Sequence, residues 1–166
     1  MKKCVFAGTF DPPTVGHKHV VGESLKIFDK VVIAVMVNTD KTPLFTVEER
    51  LYLLDKLFGG DKRIKVISFG GAAVDLLEME NTPFYVRGVR DSIDFEYENR
   101  NFFASKKLKE DMVAVYIPAV QEELQVSSTL IRNSVKFAKD YSAYVPDEIL
   151  DDLNRILEKK NVRKTD

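Results

Sequence analysis

Strand patterns and helix patterns alternate five times along this chain of 166 residues, and this alternation restricts the possible folds more than any other feature. The clearest strand pattern is the valine-rich run from Lys30 to Val37, which is typical of a strand buried on both faces. The clearest helix pattern follows Thr46, which forms a capping box with Glu49. The predicted strands are residues 3–8, 30–37, 63–69, 83–88 and 112–117, and the predicted helices are residues 16–28, 46–58, 72–79, 92–108, 127–138 and 146–159.

Such alternation favours a parallel sheet whose strands are joined by right-handed crossover connections. We therefore predict an α/β fold, a single Rossmann-like domain with a five-stranded parallel sheet and helices on both faces. The domain is expected to span residues 1–159, because no linker, repeat or low-complexity tract interrupts them. Residues 160–166 form a polar tail that we expect to fray.

The unusual loops of the sequence all follow the predicted strands. Ligands of parallel sheets bind beyond the carboxyl ends of the strands, so these loops are expected to meet at one site. The first loop runs from Gly8 to His17 and places a Gly-His pair at the entrance of a helix. The others span residues 38–43, 70–71, 87–90 and 118–128.

The polar side chains of these loops suit a polyphosphate. One arginine side chain can bind two phosphate oxygens at once, and the free N–H groups of a helix N-terminus attract anions. The chain lacks the Gly-x-x-x-x-Gly-Lys-Ser/Thr pattern of P-loop enzymes, and no Gly-x-Gly-x-x-Gly follows its first strand. It also offers no serine, histidine and acid arrangement for a hydrolase and no paired histidines for a metal. The candidate residues are Thr9, His17, Lys41, Arg87, Arg90, Ser127, Ser128 and Thr129.

Charge and composition argue against several other classes of protein. A formal net charge of −1 disfavours a general nucleic-acid binder. Cys4 is the only cysteine, so the chain can form neither an internal disulfide nor a cysteine metal cluster. The longest apolar run, from Val31 to Val37, is far too short to span a bilayer, and the N-terminus lacks the pattern of a secretory signal. We expect a cytoplasmic protein that binds neither nucleic acid nor membrane.

Four stretches of the sequence resemble one enzyme family. Gly8-Thr9-Phe10-Asp11-Pro12, followed by Thr14-x-Gly16-His17, resembles the nucleotidyltransferases of the (H/T)xGH superfamily. Three further stretches resemble the bacterial phosphopantetheine adenylyltransferases, namely residues 41–50 (KTPLFTVEER), residues 86–98 (VRGVRDSIDFEYE) and residues 127–130 (SSTL). These stretches occur in the family's order, and the resemblance covers roughly residues 3–150.

The resemblance implies a reaction. ATP and 4'-phosphopantetheine would give dephospho-coenzyme A and pyrophosphate, with Mg²⁺ accompanying ATP. The pantetheine phosphate would attack the α-phosphorus in line, without a covalent enzyme intermediate. The family also implies a homohexamer.

The same resemblance assigns roles to individual residues. His17 would stabilise the pentacoordinate phosphorus, and Thr9 would orient the attacking phosphate. The acceptor would also contact Lys41, Ala73 and Arg87. The residues implied to bind ATP are Thr9, Phe10, His17, Gly88, Val89, Arg90 and Glu98, together with the loop Glu123, Leu124, Gln125, Val126, Ser127, Ser128 and Thr129.

Two departures from the family pattern bear on the acceptor. After Glu98 the family usually has an apolar run with an asparagine, whereas residues 99–106 of this chain read NRNFFASK. Residues 11–13 and 127–132 are similar to the nicotinate mononucleotide adenylyltransferases, although those enzymes usually carry histidine in place of Thr14. A nucleotide-binding module without catalysis is a third hypothesis. The stretches at residues 41–50 and 87–98 favour the phosphopantetheine acceptor.

Overall fold

The computed structural model describes residues 1–37 and 42–162, with side chains through residue 160, and its strands and helices alternate along the chain. The strands are β1 (Lys3–Gly8), β2 (Lys30–Met36), β3 (Ile64–Phe69), β4 (Phe84–Val89) and β5 (Val113–Pro118). The α-helices are α1 (Val15–Ile27), α2 (Val47–Phe58), α3 (Ala73–Met79), α4 (Ser92–Lys106), α5 (Ser128–Lys136) and α6 (Asp147–Val162). Two short 3₁₀ helices, Gln121–Glu123 and Ser142–Tyr144, lie before and after α5.

The five strands form one parallel sheet in the order β3-β2-β1-β4-β5. The chain builds outward from β1 to β3 and then crosses back to add β4 and β5 on the other side of β1. The strand order therefore switches between β1 and β4, where open α/β sheets form their ligand crevice. The predicted α/β class and the predicted five-stranded parallel sheet are confirmed.

Successive residues of β1 pack into two different cores. Phe6 lies in a cluster with Val20 of α1 and Leu54 of α2. Val5 lies on the opposite face of the sheet and packs in a cluster with Leu76 of α3. Because side chains alternate along a strand and both faces are covered, residues 4–7 of β1 and 31–35 of β2 are apolar and buried. Helices cover both faces of the sheet, as predicted.

A third core holds the C-terminal helices. Leu53 of α2, Ile131 of α5 and Ile149 of α6 are fully buried in it. Packed on α2, helix α6 continues to Val162, beyond its predicted end and into the segment that was expected to fray. Residues 163–166 lie outside the described part of the chain. Even α6 has only 16 residues, and none of the described helices is long and apolar enough to cross a bilayer.

Strand β4 approaches α1 closely at Gly88. A Cβ at this position would lie 2.8 Å from Val20 Cγ2, so a side chain would force the strand and the helix apart. The close approach brings the residues that follow β4 next to the first turn of α1. The switch point of the sheet and the entrance of α1 thus form one site.

Candidate active site

His17 is held at the entrance of α1 by two reciprocal hydrogen bonds with the helix cap. The backbone N–H of Thr14 donates to His17 Nδ1 at 3.0 Å, and the backbone N–H of His17 donates to Thr14 Oγ1 at 3.2 Å. Because Nδ1 accepts a hydrogen bond, the proton of the neutral imidazole lies on Nε2. His17 therefore presents one N–H donor from a ring whose orientation is fixed.

The ring of Phe10 packs against this imidazole, with 4.8 Å between the ring centroids. Phe10 adopts a left-handed backbone with φ of 50°, an uncommon and strained conformation for a bulky residue. Its side chain is almost completely buried. The strained turn thus places an aromatic ring in the core directly beside His17.

The pKa of His17 is lowered from its ordinary 6.5 to about 4, chiefly by burial and to a smaller extent by the positive charges of Arg87 and Arg90. The imidazole is therefore neutral at pH 7. A neutral ring keeps Nδ1 available to the Thr14 N–H, so the same charge state preserves the cap and the Nε2 donor.

Titration of His17 by NMR is expected to give a midpoint near pH 4. The unfolded chain should titrate near its ordinary value of 6.5, so the unfolded state binds more protons between these two values. The free energy of unfolding should consequently fall as the pH drops through this window, by up to about 3 kcal/mol from His17. The imidazole Cε1–H shift can be assigned by comparison with a variant that lacks His19. A His17 midpoint at 6.5 would contradict the neutral, buried ring.

A cleft of about 250 Å³ opens at the switch point, beyond the ends of β1, β4 and β5. Its apolar walls would suit a nucleobase, and its arginines and hydroxyl groups would suit phosphates. We call it the first cavity. Its apolar lining includes Val20, Val89, Ala119 and Val126, and its polar lining includes His17, Arg87, Arg90, Asp94, Glu98, Glu123, Ser127 and Ser128.

A second cavity of about 320 Å³ meets the first at His17 and Ser128, which line both. Thr129 and Arg132 line its α5 side, where Arg132 Nη2 donates to Thr129 Oγ1 at 2.9 Å. Thr9, Phe10 and Arg50 also line this cavity. The second cavity therefore carries positive charge and lies beside the donor of His17.

A third cavity of about 210 Å³ lies beside the first one, and Arg87 and Glu98 line both. These two side chains form a two-pronged ion pair in which Arg87 Nε donates to Glu98 Oε2 at 2.7 Å. Arg87 Nη1 also donates to the carbonyl of Ala7 at 2.5 Å. The sequence suggested separate roles for Arg87 and Glu98, but the structure joins them in one wall between two cavities.

Most residues predicted from the sequence line these three cavities. Lys41 lies outside the described residues. Leu124 and Gln125 are exposed and are not among the described residues that line the cavities. The predicted residues that line the first cavity are His17, Arg87, Gly88, Val89, Arg90, Glu98, Glu123, Val126, Ser127 and Ser128. Those that line the second are Thr9, Phe10, His17, Ser128 and Thr129. Those that line the third are Ala73, Arg87 and Glu98.

Asp11 has a structural role that the sequence did not reveal. Its side chain is almost completely buried, and its carboxylate accepts hydrogen bonds from the backbone N–H groups of Leu44 at 2.9 Å and Phe45 at 2.8 Å. These bonds tie the Gly8–His17 loop to the segment that precedes α2. That segment directly follows the loop that contains Lys41.

Two arginines complete this framework. Arg50, which is 3% exposed, donates from Nη1 to the carbonyl of Thr9 at 2.8 Å, and Arg132 donates from Nη1 to the carbonyl of Asp11 at 2.7 Å. Their targets lie 41 and 121 positions away in the sequence, so no local pattern indicates them. Thr14, by contrast, could have been found, because a threonine three residues before a polar side chain at a helix start is a capping pattern.

Comparison with known protein families gives a match along most of the chain. The cytidylyltransferase-like family matches residues 5–134. This span includes most of β1, all of β2 through β5 and almost all of α5, and thus all the residues that line the three cavities.

Curated relatives match over nearly their full lengths. The phosphopantetheine adenylyltransferase of Lachnoclostridium phytofermentans is 38% identical over 150 residues, which cover 90% of this chain and 92% of that protein. The protein of the same name from Clostridium botulinum strain Alaska E43 is 37% identical over 155 residues, covering 93% and 98%. The one from Nautilia profundicola is 35% identical over 151 residues, covering 91% and 98%.

A similar solved structure comes from Vibrio parahaemolyticus and carries the provisional assignment of nicotinate-nucleotide adenylyltransferase. It superimposes with a TM-score of 0.64 and 26% identity, over 89% of this chain and 96% of that one. The fold is thus shared with a protein assigned a different acceptor, whereas the three curated relatives, at 35–38% identity, are phosphopantetheine adenylyltransferases.

Proposed function

The chain belongs to the phosphopantetheine adenylyltransferases, within the cytidylyltransferase-like family, and from this membership we propose which part of each substrate binds in each of the three cavities. The protein transfers the adenylyl group of ATP to 4'-phosphopantetheine and releases dephospho-coenzyme A and pyrophosphate. The remaining question is which residues bind each substrate and stabilise the transferring phosphorus.

We place ATP in the first cavity. Val89 and Val126 offer apolar surface to the base, while Arg90 and the hydroxyl groups of Ser127 and Ser128 face the phosphates. Ser127 caps α5 by accepting a hydrogen bond from Leu130 N–H at 3.1 Å. The remaining N–H groups of that first turn attract an anion, because they carry the positive end of the helix dipole.

The pantetheine arm fits the third cavity, beyond the wall formed by Arg87 and Glu98. Ala73 lines it, as the family resemblance implies, and so do Asn101 and Phe102. These last two residues belong to the stretch that departs from the usual family sequence. The departing residues would therefore contact the arm in a way particular to this chain. Lys41 remains a predicted ligand of the acceptor phosphate.

The observation that carries the catalytic proposal is the position of His17. It lines both the first and the second cavity, and its only ring proton lies on Nε2. A fixed N–H donor at this point stabilises the negative charge that develops on the phosphorus during in-line attack, without a proton transfer and without a covalent intermediate. The family resemblance assigns the orientation of the attacking phosphate to Thr9, which lines the second cavity and directly follows Gly8 of the first.

Mg²⁺ is proposed to enter with ATP. Among the described residues, no three His, Cys, Asp or Glu side chains are grouped as metal ligands. The magnesium ion of nucleotide enzymes is commonly held chiefly by phosphate oxygens and water, so the proposal does not require a group of protein ligands. When bound, the ion would neutralise charge on the phosphates, and the positioning of the two substrates falls to the protein.

An acceptor panel tests the function. Pyrophosphate release from ATP is measured with 4'-phosphopantetheine, with nicotinate mononucleotide and without acceptor. We expect rapid pyrophosphate release from ATP only when 4'-phosphopantetheine is the acceptor. Faster turnover with nicotinate mononucleotide would show that this compound, and not 4'-phosphopantetheine, is the acceptor. Nucleotide binding without release under any condition would instead indicate a non-catalytic module.

We also propose a homohexamer that acts in the cytoplasm. Support for an oligomer comes from α4, because each of its 15 residues keeps part of its surface exposed. Ile93, Tyr97 and Phe103 expose more than half of their surface on this helix. Large apolar side chains grouped on one helix are typical of a subunit contact.

Replacing Phe103 by glutamate is expected to shift the sedimentation of the protein toward smaller species, because a charge would be buried in the contact. The control is Ile27→Glu on α1, which adds the same charge at a residue exposed to a similar extent. Sedimentation of the unmodified protein as a monomer would refute the hexamer. Dissociation by the Ile27 variant alone would move the contact away from α4.

A further inference from the structure

One carboxylate oxygen of Glu123 is buried and has no hydrogen-bond partner in the described part of the chain. Its Oε2 is shielded from solvent and finds no donor among the described residues. Such an acceptor is unfavourable in the free protein, because the water that it lost has not been replaced. A ligand that supplies a donor at this point would remove that penalty.

Glu123 lies in the wall of the first cavity, on a short segment with defined backbone contacts. Glu123 ends the 3₁₀ helix Gln121–Glu123, and its carbonyl accepts a hydrogen bond from Val126 N–H at 2.9 Å. Its Oε2 lies 3.9 Å from the point that a Cβ at Gly16 would occupy, so it faces the first turn of α1. Ala119 and Val126 line the same cavity with apolar surface.

The charge of this group limits what it can bind. A carboxylate repels a phosphate and accepts hydrogen bonds from neutral N–H or O–H groups. Arg90, whose Nε donates to Asp94 at 2.7 Å, and the hydroxyl groups of Ser127 and Ser128 offer donors to the phosphates, while Val126, three residues after Glu123, provides apolar surface. The base is therefore the part of ATP that this wall suits.

We propose that Glu123 determines the choice of nucleobase, its carboxylate accepting a hydrogen bond from the exocyclic amino group of adenine. This inference rests on the placement of ATP in the first cavity under the proposed function. A base with a carbonyl oxygen at that position would place this oxygen next to the Glu123 carboxylate, and two acceptors cannot form a hydrogen bond with each other. A site that must satisfy a buried polar group discriminates strongly against a ligand without the matching donor.

The test measures equilibrium binding of ATP and of purine riboside triphosphate, which lacks the amino group. The wild-type protein is expected to bind ATP about tenfold more tightly than the analogue, the usual scale for one unsatisfied buried acceptor. The E123A variant should bind the two nucleotides equally. The matched control is E122A, which removes an exposed carboxylate from the same 3₁₀ helix and should keep the wild-type ratio.

Two further measurements separate the hydrogen bond from a disturbed loop. The E123Q variant keeps an acceptor oxygen, so its preference for ATP should exceed that of E123A. Binding of 2'-deoxy-ATP tests the ribose, which offers the other donors of the nucleoside. Equal binding of ATP and the analogue by the wild type, or a ratio that E123A leaves unchanged, would overturn the proposal. The proposal would also be overturned if the wild type bound ATP more tightly than 2'-deoxy-ATP and E123A abolished that difference.

Binding is measured without the acceptor, so the two proposals fail in different ways. A protein that selects ATP through Glu123 but does not release pyrophosphate with 4'-phosphopantetheine would refute the proposed reaction alone. An active enzyme whose choice of nucleobase is independent of Glu123 would refute this inference alone.

Discussion

Replacing His17 by alanine is expected to lower kcat at least about 100-fold, the scale of one lost transition-state donor, while ATP binding is retained. The reason lies in the arrangement of the ring. Its Nδ1 is occupied by the Thr14 N–H at 3.0 Å, its proton lies on Nε2, and it lines the two cavities that meet beside it. The measurement is pyrophosphate release under saturating substrates, with ATP affinity determined separately.

Two other variants show whether the loss comes from the donor or from the cap. Asparagine at position 17 keeps an oxygen that can accept from the Thr14 N–H, and its amide N–H groups end short of the position of Nε2, so H17N should be as slow as H17A. The control is H19A on the same helix, because His19 contacts the carbonyl of Pro118 at 3.1 Å and is not among the described residues that line the cavities. If H17N turned over near the wild-type rate, His17 would serve only to cap α1 and not as a donor to the transition state.

The fold could be predicted because its signals are local. The run from Lys30 to Val37 indicates a strand covered on both faces, and the Thr46–Glu49 capping box indicates the start of a helix. The structure confirms both, with β2 ending at Met36 and with Glu49 N–H donating to Thr46 Oγ1 at 3.2 Å. Parallel strands place their carboxyl ends at one edge, so the meeting of the loops after β1, β4 and β5 at the first cavity also followed from the pattern. Residues 70–71 were expected at the same site but do not line the three cavities.

The pairing of side chains within the site could not be predicted in the same way. Arg87 and Glu98 both stand in stretches that resemble the family, but their two-pronged ion pair depends on how α4 packs beside β4. The unpaired oxygen of Glu123 depends likewise on the position of a 3₁₀ helix that no sequence pattern indicated. Periodicity indicates which face of an element is buried, whereas contacts between distant loops are set by tertiary packing.

Asp11 illustrates this limit most clearly, and its replacement gives the second large effect. From the sequence, Asp11 was a lone acid at the end of the first strand. In the structure its carboxylate is buried and accepts from Leu44 N–H and Phe45 N–H, while Arg132 Nη1 lies 3.7 Å from Oδ2. A carboxylate with these partners organises the loops rather than reacting with a substrate.

The D11A variant is expected to lower the free energy of unfolding by about 3 kcal/mol, because it leaves two backbone N–H groups without acceptors and removes a negative charge near the buried Arg50. D11N keeps one acceptor oxygen, so its loss should be smaller. Urea unfolding at a fixed protein concentration gives the values, with unchanged m-values as the sign that the denatured state is the same. The control is E23A, which removes an exposed partner of Lys26 and should change stability by less than about 1 kcal/mol. If D11A proved as stable as E23A, the buried carboxylate would not be what joins the Gly8–His17 loop to the segment before α2.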